Sequence, residues 1–392
     1  MSDKHLRPAK TEDIEAIRTF LSERNPSPVF IKQLESRLDM WWKNNPAMAD
    51  EIPPGWILED SRAEIVGFIA NVPVPYQICG KKDTAVASSS WYVKPEARGM
   101  ISLGLLKSFL AQKDKKLFIA NQPEGNVPKI LTRLGLLHAS LPHGGVEYLH
   151  LLRPDLVFLL FLCRMLKFSP VYTLLKGLTY PLRLFSPLFS LARKIRKPPF
   201  EKPGSSSGRD EYVCSLVGRC AQSFTRLWEE HKKKNQITLY RDSETLNWLY
   251  FSEAVADQRR VIQCVSKKDR KLAGYVVFDI IRFPRIGVKI FRLVDVYIPD
   301  PNEHILASLM SFAAEQAKKE KTAALRMWAR DQNMERFLRE WFKIRRKYDF
   351  LYHYKLTIPE GIPADTFAPC EFLPSPIDPE RGTVAFYSSL YF

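Results

Sequence analysis

The sequence predicts an α/β protein made of two copies of one unit, each a mixed sheet flanked by helices, with a basic apolar insertion joining them. Three observations predict it. Segments on either side of the middle of the chain can be laid over each other in register. Between them, residues 153–207 combine Leu and Phe with a high density of Lys and Arg. A length of 392 residues, 45% hydrophobic and 26% charged, suffices for two cores and excludes a disordered chain or a small disulfide scaffold.

The repeat opens at Ala63-Glu64-Ile65-Val66-Gly67-Phe68-Ile69-Ala70, which matches Arg270-Lys271-Leu272-Ala273-Gly274-Tyr275-Val276-Val277, a polar turn entering a strand. Val93-Lys94-Pro95 then corresponds to Tyr297-Ile298-Pro299. Ile101-Ser102-Leu103-Gly104-Leu105-Leu106 corresponds to Ile305-Leu306-Ala307-Ser308-Leu309-Met310, so each copy reads strand, loop, helix. Both helices end in lysine-rich turns, at 113–116 and 318–321, and lead to strands at 117–120 and 324–328, with another helix after each. The register holds at an offset between 204 and 208. Such alternation places central strands under covering helices. The expected domains are 1–150, an insertion and linker at 151–208, a second, degenerate copy at 209–358, and a C-terminal strap at 359–392 rich in Pro and aromatics.

Half of the net charge of +16 sits in residues 153–207, which carry ten bases and two acids. Runs such as Val157-Phe158-Leu159-Leu160-Phe161-Leu162 are apolar, but Arg153, Asp155, Arg164, Lys167, Lys176 and Arg183 interrupt any stretch long enough to span a bilayer. Two readings stay open: an interfacial segment on an anionic membrane surface, or an insertion that packs on the domains and exposes its bases. Pro170, Pro181 and Pro187 suit either. The Pro, Gly and Ser content of 198–208 predicts a flexible joint.

Met1-Ser2-Asp3-Lys4-His5 lacks the apolar core of an export signal, so the expected location is the cytoplasm, with a peripheral position on the inner face of the membrane if the insertion binds lipid. The six cysteines form no CxxC pair and stand near no His cluster, so no metal is expected and the thiols read as reduced packing residues.

The opening Leu6-Arg7-Pro8-Ala9-Lys10-Thr11-Glu12-Asp13 resembles the first strand and helix of the GNAT acyltransferase superfamily. Val93-Lys94-Pro95-Glu96-Ala97-Arg98-Gly99 resembles its acyl-CoA-binding motif, and Asn121 through Gly135-Leu136 its next strand, helix and turn. The resemblance covers residues 5–140 well and 210–357 weakly. Tyr240-Arg241-Asp242-Ser243-Glu244-Thr245-Leu246-Asn247-Trp248-Leu249-Tyr250 is similar to a signature of tandem GNAT proteins of bacterial polysaccharide and cell-envelope synthesis, with Leu249 where that signature has Arg.

The resemblance implies two tandem GNAT-like mixed sheets and acetyl-CoA or another acyl-CoA as co-substrate. Independently of the name, a loop entering a helix aims several N–H groups and the positive end of the helix dipole at one place, which suits a pyrophosphate. The residues placed there are Val93, Arg98, Gly99, Met100 and Ile101, followed by Ser102, Leu103 and Gly104, while Asn121 and Asn126 read either as bonding the pantetheine arm or substrate or as turn caps. Arg98 would add charge-assisted hydrogen bonds to phosphate.

This chain departs from the family's R-x-x-G-x-G/A pattern by carrying Ile101 and Leu103 where small residues belong. It also has Leu131 where many members place a tyrosine that protonates the leaving thiolate, so another donor or solvent would serve. The second copy's loop, Pro299-Asp300-Pro301-Asn302-Glu303-His304, has two acids and no Arg, and is expected to hold no CoA. Catalytic candidates are Glu124, near a strand end, and Ser90, in the strand lining the channel. Ser88 through Val93 lie where family members line the acyl and acceptor channel, with strand packing the other reading for Trp91 and Val93, and Trp41 and Trp42 read as either acceptor contacts or core.

The reading is an acyltransferase that moves an acyl group, acetyl above all, from acyl-CoA to an amine or hydroxyl of a small-molecule or glycan acceptor, including a sugar or envelope precursor. The alternatives are a non-catalytic tandem pseudo-transferase bound peripherally to membrane through 153–207, and a transferase using aminoacyl-tRNA. Nucleic acid ranks below lipid as a partner, because half the excess charge lies in an apolar segment.

Overall fold

The computed structural model describes residues 4–23, 26, 28–78, 80–121, 127–140, 146–153, 156, 211–232, 237–283, 287–299, 302–328, 332–342, 344–347 and 351–356. The candidates Glu124 and Asn126, nearly all of the insertion, the strap at 359–392, and Cys79, Cys163 and Cys370 lie outside them.

In chain order the first half contains β1 (His5–Pro8), α1 (Ile14–Glu23), α2 (Pro28–Leu38), β2 (Gly55–Glu59), β3 (Ile65–Ile78) and β4 (Lys81–Val93). It continues with α3 (Ser102–Leu110), β5 (Leu117–Asn121), α4 (Val127–Arg133), β6 (Leu137–Ser140) and β7 (Val146–Leu151). The second half has β8 (Tyr212–Val217), α5 (Gln222–His231), β9 (Thr238–Leu239), α6 (Ser243–Phe251), β10 (Arg259–Ser266), β11 (Leu272–Phe283) and β12 (Val288–Tyr297). It ends with α7 (Glu303–Lys319), β13 (Ala324–Trp328), α8 (Gln332–Trp341), β14 (Ile344–Lys347) and β15 (Leu351–Leu356).

Two sheets result, each with a single parallel step between antiparallel flanks. The first runs β1-β2-β3-β4-β5-β15-β6, with β9 added on β3, and the second runs β14-β7-β13-β12-β11-β10-β8. The fold class is therefore the expected one, mixed sheets flanked by helices, built twice.

The units do not follow the boundaries expected at 150 and 209. Unit 1 takes in residues 232–254 and 350–356 from the second half of the chain, and unit 2 takes in 146–153 from the first. Strand β7 lies antiparallel between β13 and β14, while β15 lies antiparallel between β5 and β6. Each half thus lends one strand to the other's sheet, in equivalent slots. Because the slots are equivalent, local pattern cannot tell which copy a strand will fill.

In unit 1 the core between the sheet and α3 is Trp56, Leu58, Ile69, Val86, Leu105 and Phe109, with Phe118 and Leu131. Trp41 and Trp42, on a π-helical turn, are buried in this unit, and the Trp42 indole donates to the Asn71 carbonyl at 3.1 Å. Their role is packing, the second of the two readings open in the sequence. Residues 238–251 dock on the same unit. Thr238 and Leu239 pair with Gln77 and Tyr76. Trp248 Nε1 donates to the Met40 carbonyl at 2.7 Å, and Leu249, where the family signature has Arg, is fully enclosed. Asp242 caps α6 by accepting from the Thr245 amide, and it also pairs with Lys82 at 2.6 Å. Burial raises the Asp242 pKa, but the hydrogen bonds from Lys82 and Thr245 outweigh it and hold the carboxyl below its ordinary value.

Unit 2 places Ile262, Val276, Phe278, Phe291 and Leu293 against Leu306, Leu309 and Met310 of α7. Cys214, Cys220 and Cys264 are free thiols. Burial pushes Cys220 up to about 12, and the Cys214 hydrogen bond together with burial pushes Cys264 up as well, so both stay protonated. Among the described residues no group of side chains could hold a metal, and no helix is long and apolar enough to cross a membrane.

The opening motif is explained by one cluster. The Arg7 guanidinium bonds both oxygens of Asp13 at 2.7 and 2.9 Å and Glu59 Oε1 at 2.6 and 2.9 Å, tying β1 to β2 and to the start of α1. Hydrogen bonds from Arg7 hold the Asp13 carboxyl below its ordinary value. Its contribution is therefore complete above about pH 4 and is lost as the pH falls through the lowered folded value. Urea unfolding of Asp13→Asn should show a loss of about 1–2 kcal/mol at pH 7 that shrinks toward about pH 2. The strand exchange makes a second prediction: residues 1–150 expressed alone lack the strand between β5 and β6, and their amide NMR spectrum should be poorly dispersed.

Candidate active site

Strand β4 outruns β5. The two pair in parallel only through Val86↔Phe118, Ala87↔Ile119 and Ser88↔Ala120. The other edge of β4 stays on β3 as far as Val93↔Gly67. Among the described residues no strand follows the β5-facing edge of 89–93. Along that stretch the β3 register jumps from Phe68↔Tyr92 to Ala70↔Ser89, so Ser90 and Trp91 together oppose Ile69. This is a β-bulge, with Ser90 at φ 47°, and it bends the strand just past its last described pair with β5.

After Val93 the chain makes a 3-10 turn at Pro95–Ala97, passes Gly99 at φ 147°, and enters α3. No side chain caps that helix. The amides of Ser102, Leu103 and Gly104 are taken by the carbonyls of Gly99, Met100 and Ile101 at 3.1, 3.2 and 2.9 Å. The helical turn therefore starts early, and the outward amides are those of Gly99, Met100 and Ile101. They stand at the positive end of the α3 dipole, where an anion is stabilised. The Gly99 amide lies 3.4 Å from Ser102 Oγ, a long contact that an anion would replace without loss.

The sequence candidates separate into groups here. The Met100 and Ile101 side chains face solvent, at 82% and 37% exposure, so their bulk leaves the amides accessible. Arg98 is exposed, and its Nε donates to the Val93 carbonyl at 3.2 Å, which anchors the guanidinium beside the loop. Ser102 Oγ donates to the Gly99 carbonyl at 2.5 Å and braces the turn. Val93 is a buried core residue, so its side chain packs. A Cβ on Gly104 would stand 3.0 Å from Leu6 Cδ2, so that glycine serves the approach of α3 to β1. Leu103 is half-buried, with its amide inside the turn. Asn121 ends β5, where its backbone pairs with Tyr352. Leu131, in the usual position of the acid, is buried in the core. Lys94 is engaged by Glu23 at 2.8 Å, and that bond raises its pKa.

Two residues of the strand that the sequence places along the channel carry buried polar atoms that the sequence does not reveal. Ser89 Oγ and Trp91 Nε1 are buried and have no partner among the described residues. Their only trace in the sequence is polarity, three consecutive serines and an indole, in a strand that is otherwise half-buried and apolar.

The second copy differs at the matching points. Tyr92 opposes Phe68 and Tyr297 opposes Tyr275, each of these partners following the repeated glycine. Tyr297 therefore matches Tyr92 and not Val93, a one-residue correction to the overlay, because this loop reaches its proline one residue sooner. At the start of α7 the Asn302 side chain accepts from the His304 and Ile305 amides at 2.8 and 3.3 Å, taking the N–H groups that an anion would need.

No protein-family model matches the sequence, and no curated protein matches it. Solved structures do share its fold. A probable N-acyltransferase of Enterococcus faecalis V583, a conserved protein of unknown function, superposes with a TM-score of 0.55 at 10% identity over 91% of this chain and 73% of its own. A GCN5-related N-acetyltransferase from Anabaena variabilis gives 0.53 at 11% identity over 90% and 73%. Saccharomyces cerevisiae N-myristoyltransferase, solved with myristoyl-CoA and inhibitors, gives 0.50 at 11% over 91% and 80%. The fold is that of the GCN5-related acyltransferases. Within this chain it is built twice, from two sheets of matching strand order.

Because Asn302 is the cap of α7, Asn302→Ala should cost about 1 kcal/mol of stability, read as a lower midpoint in thermal unfolding.

Proposed function

We propose that unit 1 binds an acyl-CoA and transfers its acyl group to an amine or hydroxyl acceptor. The observation that carries this reading is the uncapped start of α3, whose outward amides at 99–101 follow a strand that runs past its last described pair with its parallel neighbour. A pyrophosphate meets N–H groups and the helix dipole there, and Arg98 adds a cation. A thioester chain lies along the open edge of β4, beside an acceptor held in the same unit, and proximity supplies much of the rate. The acceptor attacks the thioester carbonyl, the C–S bond breaks, the electron pair leaves on sulfur, and the acceptor's proton passes to solvent or a base. The fold likeness to a protein solved with myristoyl-CoA supports an acyl-CoA donor.

Unit 2 serves as scaffold in this reading, since Asn302 occupies its helix start. A glycan or small metabolite fits as acceptor. The basic, apolar residues 153–207 would bring a lipid-borne acceptor to an anionic surface, which liposome flotation with that segment deleted would test.

Titration calorimetry with acetyl-CoA should show micromolar binding that weakens about tenfold in Arg98→Ala, equivalent to about 1.4 kcal/mol. No heat with acetyl-CoA or free CoA would overturn the reading and favour the non-catalytic alternative.

A further inference from the structure

The bulge in β4 sets three consecutive side chains to different tasks. Ser89 and Tyr92 share one face, opposite Ala70 and Phe68, although they are three residues apart, which only the extra residue permits. Trp91 turns to the other face and packs against the cluster that contains Leu105 and Leu106 of α3 and Leu131 of α4. The indole therefore lies on the α3 face of the sheet, on the part of β4 that β5 no longer covers.

Its Nε1–H is buried and has no partner among the described residues. A buried donor without a partner is destabilising, and in the apolar surroundings of α3 and α4 it would bind a carbonyl more strongly than in water. The matching position of the second copy, the residue before Tyr297, is Val296, a core residue with no donor. The copy whose helix start is closed by Asn302 thus lacks the indole, and the copy whose helix start is open has it.

We infer that Trp91 is a positioning residue: its indole N–H donates to a carbonyl of the pantetheine or acyl chain laid along the open edge of β4. This rests on the acyl-CoA reading of unit 1 and adds the side chain that registers the thioester arm. Ser89, on the opposite face, does not touch that arm.

The test compares wild type with Trp91→Phe, which keeps an aromatic ring and removes the donor, using acetyl-CoA and adenosine 3′,5′-bisphosphate, the nucleotide end without the arm. Trp91→Phe should unfold at the same or a higher temperature, bind acetyl-CoA about tenfold more weakly, and bind the bisphosphate as wild type does. In 15N-indole spectra of the wild type, the Trp91 N–H should move downfield with acetyl-CoA and stay in place with the bisphosphate, a readout that does not depend on the variant's folding. Ser89→Ala should bind acetyl-CoA unchanged. An unmoved indole signal with unchanged affinity in Trp91→Phe would make Trp91 a packing residue and overturn the inference. Tighter binding in the variant would do so too, by showing that the ring obstructs the groove. Failure of the wild type to bind acetyl-CoA would overturn the acyl-CoA reading and this inference together.

Discussion

Strand β5 has only three residue pairs with β4, so its stability rests on its other edge, and that edge is supplied by β15 from the far end of the chain. Strand β13 stands in the same position: three pairs with β12 and a full ladder with β7 from the other half. A parallel strand unpaired along both edges would leave its backbone groups without partners. The exchange of β7 and β15 is what lets each parallel pairing stay short, because β5 and β13 each keep a complete ladder on the far side. The candidate site thus depends on pairing that neither half of the chain can make alone. Contacts so distant in sequence also delay completion of either sheet until both halves are present.

With the parallel step built twice, the difference between the copies comes down to local chemistry. A side-chain cap and an anion compete for the same amides at a helix start. Asn302 has taken them in α7, while Ile101 has no group with which to do so in α3. The half-buried indole and the core valine at the equivalent strand position follow the same division. At these two positions the first copy keeps donors and the second does not.

The repeat was legible because the packing dictates it residue by residue. Gly67 admits no Cβ without crowding Leu58, Val93 and Leu105, and Gly274 none without crowding Ile298 and Ile305, so both copies need glycine at the point where the first helix crosses the strand. Arg7, Asp13 and Glu59 were legible for a similar reason, since a fixed ion cluster leaves a fixed motif. The exchange was not, because β7 and β15 fit either sheet by pattern and the choice lies in tertiary connectivity. Packing was one of the two readings of Trp91, and its ring does pack. What escaped was the bulge that turns the ring toward α3, since a single inserted residue reverses which face each side chain takes.

The departures from the family loop pattern weigh less than the sequence suggests. Met100 and Ile101 send their side chains to solvent, while the groups left outward at the helix start are backbone amides, which any residue supplies. Glycine is required only at Gly99, by its φ of 147°, while at Gly104 a Cβ would crowd Leu6. Leu131 in place of an acid also costs little at the leaving group, because a thiol with a pKa of about 8–9 departs as a thiolate near neutral pH without being protonated first. The heavier demand falls on the acceptor. An alkyl amine with a pKa near 10 is protonated at neutral pH and must lose that proton before it attacks. Whether unit 1 catalyses or only binds therefore turns on a base beside the acceptor, more than on the loop or on Leu131.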